Sequence, residues 1–394
     1  MRKTLTVLIL SLGVVIANPT SSVIARTVLE PVNQTKTNAP YSQEDLLGLD
    51  EQIWGNLNQR GDRQALLKSI NNSLRYLKTA SAAQAYRRYA NTGITRDRVR
   101  RSLVRFRSLV VSSRTPAELQ AAVKREFEFY RSVGKDEKGT VLFTAYYEPT
   151  YSASRTRTQE YRYPLYRLPQ NFNNWQKPHP TRAELEGEDG LQGSPGRLRG
   201  LELAWMRDRM EAFLVQIQGS ARLQMTDGTE MTVGYAGKTD YPYTSIGQEL
   251  AKDGKLPLSG LTLPVMLQYF NQNPLELNNY LPRNRGFVFL RKTNGAPATG
   301  SINVPVTPER SIATDKSLMP PGALALVHAK LAYANGNGGM EQRLVSRYVL
   351  DQDAGSAIKG PGRVDYFMGT GKVAGDRAGV TGGNGQLYYL LLKE

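Results

Sequence analysis

The chain is organised around one stretch near its carboxyl end: Asp351-Gln-Asp353-Ala-Gly355-Ser-Ala-Ile358-Lys359-Gly360-Pro-Gly362-Arg363-Val-Asp365-Tyr366-Phe367-Met-Gly369-Thr370-Gly371. Its glycine density predicts tight turns and close backbone approach, and the stretch shows almost no helix-forming pattern through Gly379. Apolar runs at 344–350 and 387–392 flank it and predict buried strands. Carboxylates between buried strands are candidates for shifted pKa values and hence for a functional site, although Gly-Asp turns at the rim of a β-structure have the same pattern.

The residue types available for chemistry are restricted. None of the 394 residues is cysteine, which excludes disulfides, thiolate metal ligands and a cysteine nucleophile. Only two histidines occur, His179 between two prolines and His328 after an apolar run, and both are interpreted as structural. Catalytic triads and zinc sites need imidazole groups, so no metal and no cofactor is predicted and any catalysis must rest on carboxylates.

The amino-terminal sequence predicts export. Residues 1–25 combine Arg2 and Lys3 with an apolar core too short to span a bilayer and with a small-residue cleavage site, as secretory signal peptides do. Residues 26–41 are rich in Pro, Asn, Thr and Gln and predict a disordered lead-in. No later segment is apolar enough to cross a membrane, so no transmembrane segment is predicted.

The charge indicates the kind of partner. The formal net charge is +16, and an exported protein this basic is expected to meet an anionic surface. Arginines at positions 96, 98, 100, 101, 105 and 107 look like a nucleic-acid patch, but the solvated face of an amphipathic helix explains the same spacing. Because the signal peptide directs the chain out of the cytoplasm, no nucleic acid is predicted as a partner.

The pattern along the chain changes twice. From about residue 42 apolar residues recur at helical spacing, and Thr115-Pro116-Ala-Glu118 opens one helix with a capping box. The run from Val141 to Pro149 then predicts a strand, and the region after it is mixed. In that region residues 213–222 lead to a hairpin with Asp227-Gly228 at its turn, and residues 256–279 have a helical pattern.

Several phrases, in order along the chain, resemble the motifs of one enzyme family. They are Thr144-Ala-Tyr146-Tyr-Glu-Pro149, Gln218-Gly-Ser220, Tyr235-Ala-Gly-Lys238 with Tyr243-x-Ser245-Ile-Gly247, Thr307-Pro-x-Arg310-Ser-Ile-Ala-x-Asp315, and the Asp353 to Gly379 stretch. Together they are similar to the MltA-type lytic transglycosylases, which cleave the glycan strands of peptidoglycan. The resemblance covers about residues 144–392. Ala145 departs from it, since the family has glycine there.

The resemblance implies a fold and a domain arrangement. The expected protein is mainly β with an N-terminal helical section. Residues 42–146 and 257–394 would form the helical section and a double-psi β-barrel catalytic domain. Residues 147–256 would form an inserted β-domain, with a sugar-binding groove between the two domains, where ligand sites are common.

The resemblance also implies a reaction and a site. The expected reaction cleaves the β-1,4 bond between N-acetylmuramic acid (MurNAc) and N-acetylglucosamine (GlcNAc) and leaves a 1,6-anhydro-MurNAc end. Asp365 matches the single acid/base position, and Asp353 is its electrostatic partner. Thr144, Tyr146 and Gln218 match substrate-binding positions.

Other charged residues near this motif receive different interpretations. Lys359 and Arg363 would lower the pKa of Asp365 if they lay close to it. Asp315 and Asp376 are interpreted as structural.

Two other functions stay open at this point. A hydrolytic muramidase would use water as the nucleophile, and an expansin-like protein would bind the cell wall without cleaving it. Peptidoglycan glycan strands, whose peptides carry carboxylates, are the expected partner in each case. Many members of the resembled family are lipoproteins, but this chain has no cysteine to carry a lipid. We therefore expect a periplasmic protein, or one held peripherally at the outer membrane without a lipid anchor.

Overall fold

The structure is a computed structural model that describes residues 28–32, 46–56, 59–89 and 93–394. The signal peptide predicted at 1–25 lies outside these residues, as does most of the lead-in predicted at 26–41. One part of that lead-in differs from the prediction of disorder, because Leu29–Pro31 forms strand β1 and pairs antiparallel with residues 130–132. Leu29 is buried, and this burial offsets part of the conformational entropy that the strand loses.

The N-terminal section is helical, as predicted. Its elements are β2 (Gly55–Asn56), β3 (Gln59–Arg60), α1 (Arg63–Tyr76), α2 (Ala80–Tyr86), α3 (Arg96–Ser112), α4 (Pro116–Glu126), β4 (Phe127–Ser132) and β5 (Val141–Glu148). The apolar stripe of α3 is buried, with Val99, Leu103 and Phe106 in the main core. The Thr115 hydroxyl accepts a hydrogen bond from the Glu118 amide at 3.2 Å and so caps α4.

The arginines of α3 confirm the interpretation as a solvated helix face, with one exception. Most of them are exposed, and Arg100 and Arg101 pair with Asp97 of the same helix. Arg98 instead is buried and donates to Glu128 at 2.6 Å, which ties α3 to β4. Asp97 and Glu128 therefore offset part of the positive charge of these arginines.

The middle of the chain forms a second sheet with helices around it. Its elements are β6 (Thr150–Ser154), β7 (Tyr163–Tyr166), α5 (Arg182–Glu186), β8 (Glu202–Met206), α6 (Arg209–Gln218), β9 (Ser220–Met225), β10 (Glu230–Lys238), α7 (Ile246–Lys252), α8 (Leu263–Gln272), α9 (Leu277–Tyr280) and β11 (Val288–Lys292). The six strands lie in the order β11-β10-β9-β6-β8-β7. The hairpin predicted around Asp227-Gly228 is present as β9 and β10.

The segment that leads into this hairpin is a helix. Helix α6 begins after Asp208, whose carboxylate accepts from the Glu211 amide at 2.9 Å, and it ends at Gly219 in the left-handed region with φ of 76°. Residues 212–216 are all buried, so this helix is covered on several sides. Its apolar run, residues 212–215, has no helical periodicity and would also suit a strand.

The second sheet extends past residue 256, where the sequence predicted the inserted domain to end. Strand β11 pairs antiparallel with β10, and Val288 lies opposite Lys238. Helix α8 and the residues after it pack with α6 and α7, since Phe270 and Tyr280 share a core cluster with Phe213. The elements of this domain therefore continue to Lys292.

The C-terminal part closes a barrel. Its elements are β12 (Ser311–Ala313), β13 (Leu324–Ala334), β14 (Met340–Asp353), β15 (Arg363–Thr370), α10 (Gly371–Val380) and β16 (Gly382–Leu392). The hydrogen-bonded order β5-β15-β12-β14-β13-β16 returns to β5, which gives a closed ring of six strands. Parallel pairs occur at β12–β14 and β15–β5, and the other pairs of the ring are antiparallel.

Helix α10 is a correction to the sequence analysis, which expected almost no helix in the glycine-rich stretch. Its glycines serve close packing as well as turns. A Cβ on Gly375 would approach the Tyr147 ring to 2.7 Å, and one on Gly379 would meet Pro264 at 3.2 Å. The packing of Ala374 and Ala378 against the barrel stabilises a helix that local propensity disfavours.

A buried ion cluster joins the N-terminal section to the barrel. Arg310 has no exposed side-chain surface, and it donates to Asp50 and to Asp62, each at 2.5 Å. Arg347 of β14 lies 3.3 Å from the same Asp50 carboxylate. Because Arg310 directly precedes β12, this cluster fixes the strand on which the candidate site is built.

Candidate active site

The barrel register places Asp353 and Asp365 on the two sides of one short strand. Asp353 ends β14, which runs parallel to β12, and Asp365 lies on β15, which runs antiparallel to β12. Both aspartates are opposite Ala313. Neighbouring strands are about 4.8 Å apart, so the two aspartate backbones are separated by roughly 10 Å.

Strand β5 contributes a donor to each carboxylate. Thr144 and Tyr146 lie two residues apart and therefore share one face of the strand. The Thr144 hydroxyl donates to Asp365 Oδ1 at 2.8 Å, and the Tyr146 hydroxyl donates to Asp353 Oδ2 at 2.7 Å. The ring of Tyr146 packs on Phe367 with 5.0 Å between centroids, which fixes its direction. The structure thus brings together four of the five residues predicted from the sequence.

Asp365 has the electrostatics of a proton donor. Burial raises its pKa to about 6, and the nearby Asp353 charge acts in the same direction. The hydrogen bond from Thr144 and the charge of Arg363 oppose this rise. Arg363 donates to Thr144 Oγ1 at 3.3 Å, and no lysine or arginine of the described residues forms an ion pair with Asp365. A carboxyl group with this pKa keeps its proton for an appreciable fraction of the time near neutral pH.

Asp353 has a different environment. Burial raises its pKa too, but three donors stabilise its ionised form. They are the Tyr146 hydroxyl and the backbone amides of Ser301 and Ala354, the latter two at 2.8 Å from Oδ1. Among the described residues, the Asp365 carboxylate accepts a side-chain hydrogen bond from Thr144 alone, so its ionised form is stabilised by fewer donors than that of Asp353.

Gln218 is the predicted site residue that the structure does not bring into contact with either aspartate. Its Oε1 accepts from the Tyr147 amide at 3.1 Å, which joins the end of α6 to β5 at the passage between the domains. A neighbouring contact has the same effect, because Arg222 of β9 donates to the buried Glu148 at 3.0 Å. Gln218 is half-buried beside the strand that carries Thr144 and Tyr146.

The second domain contributes a residue that the sequence analysis did not select. Burial raises the pKa of Tyr243, and the charge of Asp365 adds to this rise. Burial lowers the pKa of Lys238, and the charge of Lys359 of the barrel domain adds to this decrease. We use the term interdomain groove for the region between residues 238–243 of the second domain and the strands β5 and β15 of the barrel. Tyr243 could have been found from the sequence, because it lies in the Lys238-x-x-x-x-Tyr243-x-Ser245 phrase.

The other candidate acids have structural partners. Asp315 accepts from the Gly360 amide at 2.9 Å and from Ser317, so it shapes the turn before β15. Asp376 forms an exposed pair with Lys372 on α10. Asp351 is fully buried and bonds to Lys316 and Tyr389. No cluster of potential metal ligands occurs within the part of the chain that the structure describes.

The two histidines lie in separate places. His328 is buried, and burial lowers its pKa. His179 lies 3.3 Å from Asp240 in the second domain. Neither histidine contacts the aspartate pair, as the structural interpretation predicted.

A closed six-stranded barrel that carries an aspartate pair and is joined to a second β-sheet domain is the architecture of a β-barrel lytic transglycosylase. Sequence-family comparison agrees, since the MltA specific insert domain matches residues 142–291 and the 3D domain matches residues 310–391. The chain belongs to the membrane-bound lytic murein transglycosylase A (MltA) family and is a lytic transglycosylase.

Individual relatives cover most of the chain. The membrane-bound lytic murein transglycosylase A of Escherichia coli (strain K12) is 33% identical over 262 residues, which is 65% of this chain and 67% of the relative. A homologue from Buchnera aphidicola is 31% identical over 266 residues, which is 67% of this chain and 69% of the relative.

A solved structure shares the fold. The crystal structure of a membrane-bound lytic murein transglycosylase from Agrobacterium tumefaciens superimposes with a TM-score of 0.70 at 25% identity, over 92% of this chain and 97% of that one. Within the described residues, no helix combines the length and the apolar character that a membrane span requires.

Proposed function

We propose that the protein cleaves the MurNAc-β-1,4-GlcNAc bond of peptidoglycan and leaves a 1,6-anhydro-MurNAc end, with Asp365 as the single acid/base. The observation that carries the proposal is the half-buried Asp365, which accepts a hydrogen bond from Thr144 and whose pKa burial raises to about 6. Membership of the MltA family supports the substrate and the bond.

The reaction needs no water and no second acid. Asp365 gives its proton to the bridging oxygen as the bond between that oxygen and MurNAc C1 breaks, so GlcNAc leaves with a free hydroxyl. The C6 hydroxyl oxygen of the same MurNAc then attacks C1, and its proton goes to the Asp365 carboxylate. The acid is regenerated, and attack within one ring has an effective molarity of roughly 10⁵ M or more.

Asp353 stabilises the positive charge that develops on the sugar ring. Its three hydrogen-bond donors favour its ionised form against the effect of burial and hold its carboxylate in place, so it acts without reorganisation at the moment of reaction. Its negative charge also disfavours ionisation of Asp365. The charge of Asp353 therefore helps Asp365 to keep its proton.

Thr144, Tyr146 and Gln218 bind the sugars around the cleaved bond. Thr144 and Tyr146 each retain an acceptor oxygen for a sugar hydroxyl, and the Tyr146 ring offers an apolar edge to a sugar face. The Gln218 amide group lies where β5 enters the second domain and has its nitrogen free to donate. We propose that these residues orient the two sugars across Asp365.

The proposed location follows from the substrate. The peptide carboxylates of peptidoglycan match the formal charge of +16, and the predicted signal peptide would deliver the protein to the envelope. We propose an exported protein in the periplasm or held peripherally at the outer membrane.

The decisive experiment is digestion of purified sacculi followed by mass spectrometry of the soluble products. The expected products carry 1,6-anhydro-MurNAc ends and are lighter by one water than the products of hydrolysis. Products with reducing MurNAc ends would identify a hydrolytic muramidase. Binding to sacculi without any released fragment would identify a non-catalytic wall-binding protein.

A variant of Asp365 tests the residue assignment. Asp365→Asn keeps the shape and the acceptor for Thr144 but cannot deliver a proton, so fragment release should fall to the background level while sacculus binding remains. The matched control is Asp376→Asn, since Asp376 is exposed on α10 and pairs only with Lys372. Near-normal turnover by Asp365→Asn would show that another group is the acid.

A further inference from the structure

A second concave site lies in the inserted domain, and neither aspartate lines it. This cavity has a volume of about 1020 Å³ and opens among residues 169–184, 197–201, Tyr241 and Arg285. Its wall includes the cations Lys177, Arg197, Arg199 and Arg285 and a single carboxylate, that of Glu184. None of the four cations forms an ion pair within the described residues, and the single carboxylate of Glu184, whose pKa the charges of Arg285 and Arg197 help to lower, leaves the cavity with an excess of positive charge.

Two of these cations are held by aromatic rings. The Arg197 guanidinium carbon lies 5.1 Å from the centroid of Trp175, and that of Arg285 lies 4.3 Å from the centroid of Tyr241. Stacking covers the flat faces of a guanidinium and leaves the N–H groups at its edge free to donate. Such an edge matches a carboxylate in geometry and binds it through charge-assisted hydrogen bonds.

The rings themselves are fixed in place. Trp175 packs on Phe172 and Phe289, with centroids 5.2 and 6.0 Å away. The Tyr241 hydroxyl donates to the His179 carbonyl at 2.6 Å, and Lys238 Nζ donates to the Tyr241 carbonyl at 2.9 Å. A site with this degree of order binds a ligand with little additional loss of conformational entropy.

The cavity and the interdomain groove lie on the same segment of chain. Tyr241 lines the cavity, and the pKa of Tyr243, two residues later, is raised by burial and by the charge of Asp365. Two residues span at most about 7 Å, and a five-residue extended peptide reaches up to roughly 17 Å. A short peptide therefore reaches farther than the chain segment that separates Tyr241 from Tyr243.

The remaining wall suits peptide groups. Amide side chains, which both donate and accept hydrogen bonds, line the cavity at Gln170, Asn171, Asn174 and Gln176. The concave shape and the volume fit several peptide residues, whereas a planar lipid surface would contact only the rim. The chemistry thus favours a peptide with free carboxylates over a membrane headgroup.

We infer that this cavity binds the carboxylate-bearing peptide of a peptide-substituted glycan strand and so makes the enzyme selective for such strands. The inference rests on the proposed function, because the peptide reaches the cavity only when its glycan occupies the groove. Arg197 and Arg285 provide the carboxylate contacts, and the amide side chains align the peptide backbone.

The test compares peptide-bearing soluble glycan strands with the same strands stripped of peptide by an amidase. In the Arg197→Ala/Arg285→Ala variant, KM for peptide-bearing strands should rise about tenfold through the loss of two charge-assisted contacts, with kcat unchanged. KM for stripped strands should stay at the wild-type value. The control is Arg157→Ala/Lys138→Ala, which removes the same charge from two exposed positions outside the cavity and should alter neither KM.

Several outcomes would overturn the inference. If the double variant changed KM equally for both substrates, or for neither, the cavity would not be a binding site for the peptide. Loss of binding to phosphatidylglycerol vesicles with unchanged KM for peptide-bearing strands would assign the cavity to a lipid surface.

Failure of the proposed function would look different, because the wild-type protein would then release nothing from either substrate. In that case calorimetric titration with a peptide-bearing disaccharide still tests the cavity. Its affinity should fall about tenfold in the double variant, and equal affinity would contradict the inference.

Discussion

The Thr144 hydroxyl donates to the Asp365 carboxylate at 2.8 Å from a strand that lies 221 positions earlier in the chain. The two residues are direct neighbours in the parallel pair β5–β15. Arg363 in turn donates to Thr144 Oγ1, so a short chain of donors ends on the candidate acid. The pKa of Asp365 is therefore set by residues that meet only when the barrel closes.

The first prediction concerns the pH dependence of the wild-type enzyme. Asp365 must be protonated to act as the acid, and its pKa is raised to about 6. We expect kcat/KM for glycan cleavage to fall tenfold per pH unit above that value, because the active fraction of free enzyme falls in that proportion. The measurement is fragment release at low substrate concentration between pH 4 and 9. A profile that stays flat from pH 5 to 8 would contradict the assignment.

The second prediction concerns Thr144. Its hydrogen bond stabilises the ionised form of Asp365, so Thr144→Val should raise the pKa of Asp365 further. The descending limb of kcat/KM should move to higher pH by about half a unit to one unit, the equivalent of one hydrogen bond to a charged group. Thr144→Ser retains the hydroxyl and is the control that should leave the limb in place. A limb that moves equally in both variants would point to altered packing.

The third prediction concerns Asp353. Removing its charge in Asp353→Asn lowers the pKa of Asp365, so the descending limb should move to lower pH. The same change removes the electrostatic stabilisation of the sugar cation, and kcat should fall about 10²–10³-fold. The pH profile and kcat can both be measured on the same strands, beside Asp376→Asn. If the pH profile of Asp353→Asn did not shift, the charge of Asp353 would have no influence on the pKa of the acid.

The fourth prediction concerns stability. The pKa of Asp365 is about 6 in the folded chain and 3.8 in the reference state, so the folded protein binds a proton that the unfolded chain releases between these values. Wild-type stability therefore falls as pH rises from about 3.8 to 6, and the cost of the buried charge is complete above 6. Asp365→Asn removes this cost, and the free energy of unfolding should increase by about 1–3 kcal/mol at pH 8.

Urea unfolding at two pH values measures whether Asp365→Asn increases the free energy of unfolding as predicted. The difference between Asp365→Asn and the wild type should be large at pH 8 and much smaller at pH 4, where the folded wild type carries a neutral Asp365 and the unfolded chain is only partly ionised at this position. A variant that is less stable than the wild type at pH 8 would show that the charge of Asp365 is well compensated.

The fifth prediction concerns the cluster under β12. Arg310→Met leaves Asp50 buried without its main partner, and the free energy of unfolding should fall by about 3–5 kcal/mol. Arg100→Met removes an exposed pair on α3 and should change it by less than about 0.5 kcal/mol. Denaturant titration of both variants measures the difference. Similar values for the two would mean that Arg310 is not needed to hold β12.

The local patterns of the sequence were sufficient for much of the secondary structure. The stripe of Val99, Leu103 and Phe106 predicted α3, and the Asp227-Gly228 turn predicted the hairpin of β9 and β10. They were insufficient for α6 and α10. The apolar run of α6 is buried on several sides, so its sequence has no periodicity that separates a helix from a strand. Gly375 of α10 is needed because a side chain there would collide with the Tyr147 ring, and Tyr147 is distant in the sequence.

The order of the motifs along the chain was enough to predict the enzyme family, and the lack of cysteine led us to expect carboxylate chemistry, because both features can be read from the chain alone. The three-dimensional structure was needed to pair both Asp353 and Asp365 with Ala313 and to show that Gln218 bonds to the Tyr147 amide. It was also needed to show that the Asp365 charge, in addition to burial, raises the pKa of Tyr243. The physical reason is that a pKa depends on burial and on neighbouring charges. These are set by strand register and domain packing between residues hundreds of positions apart.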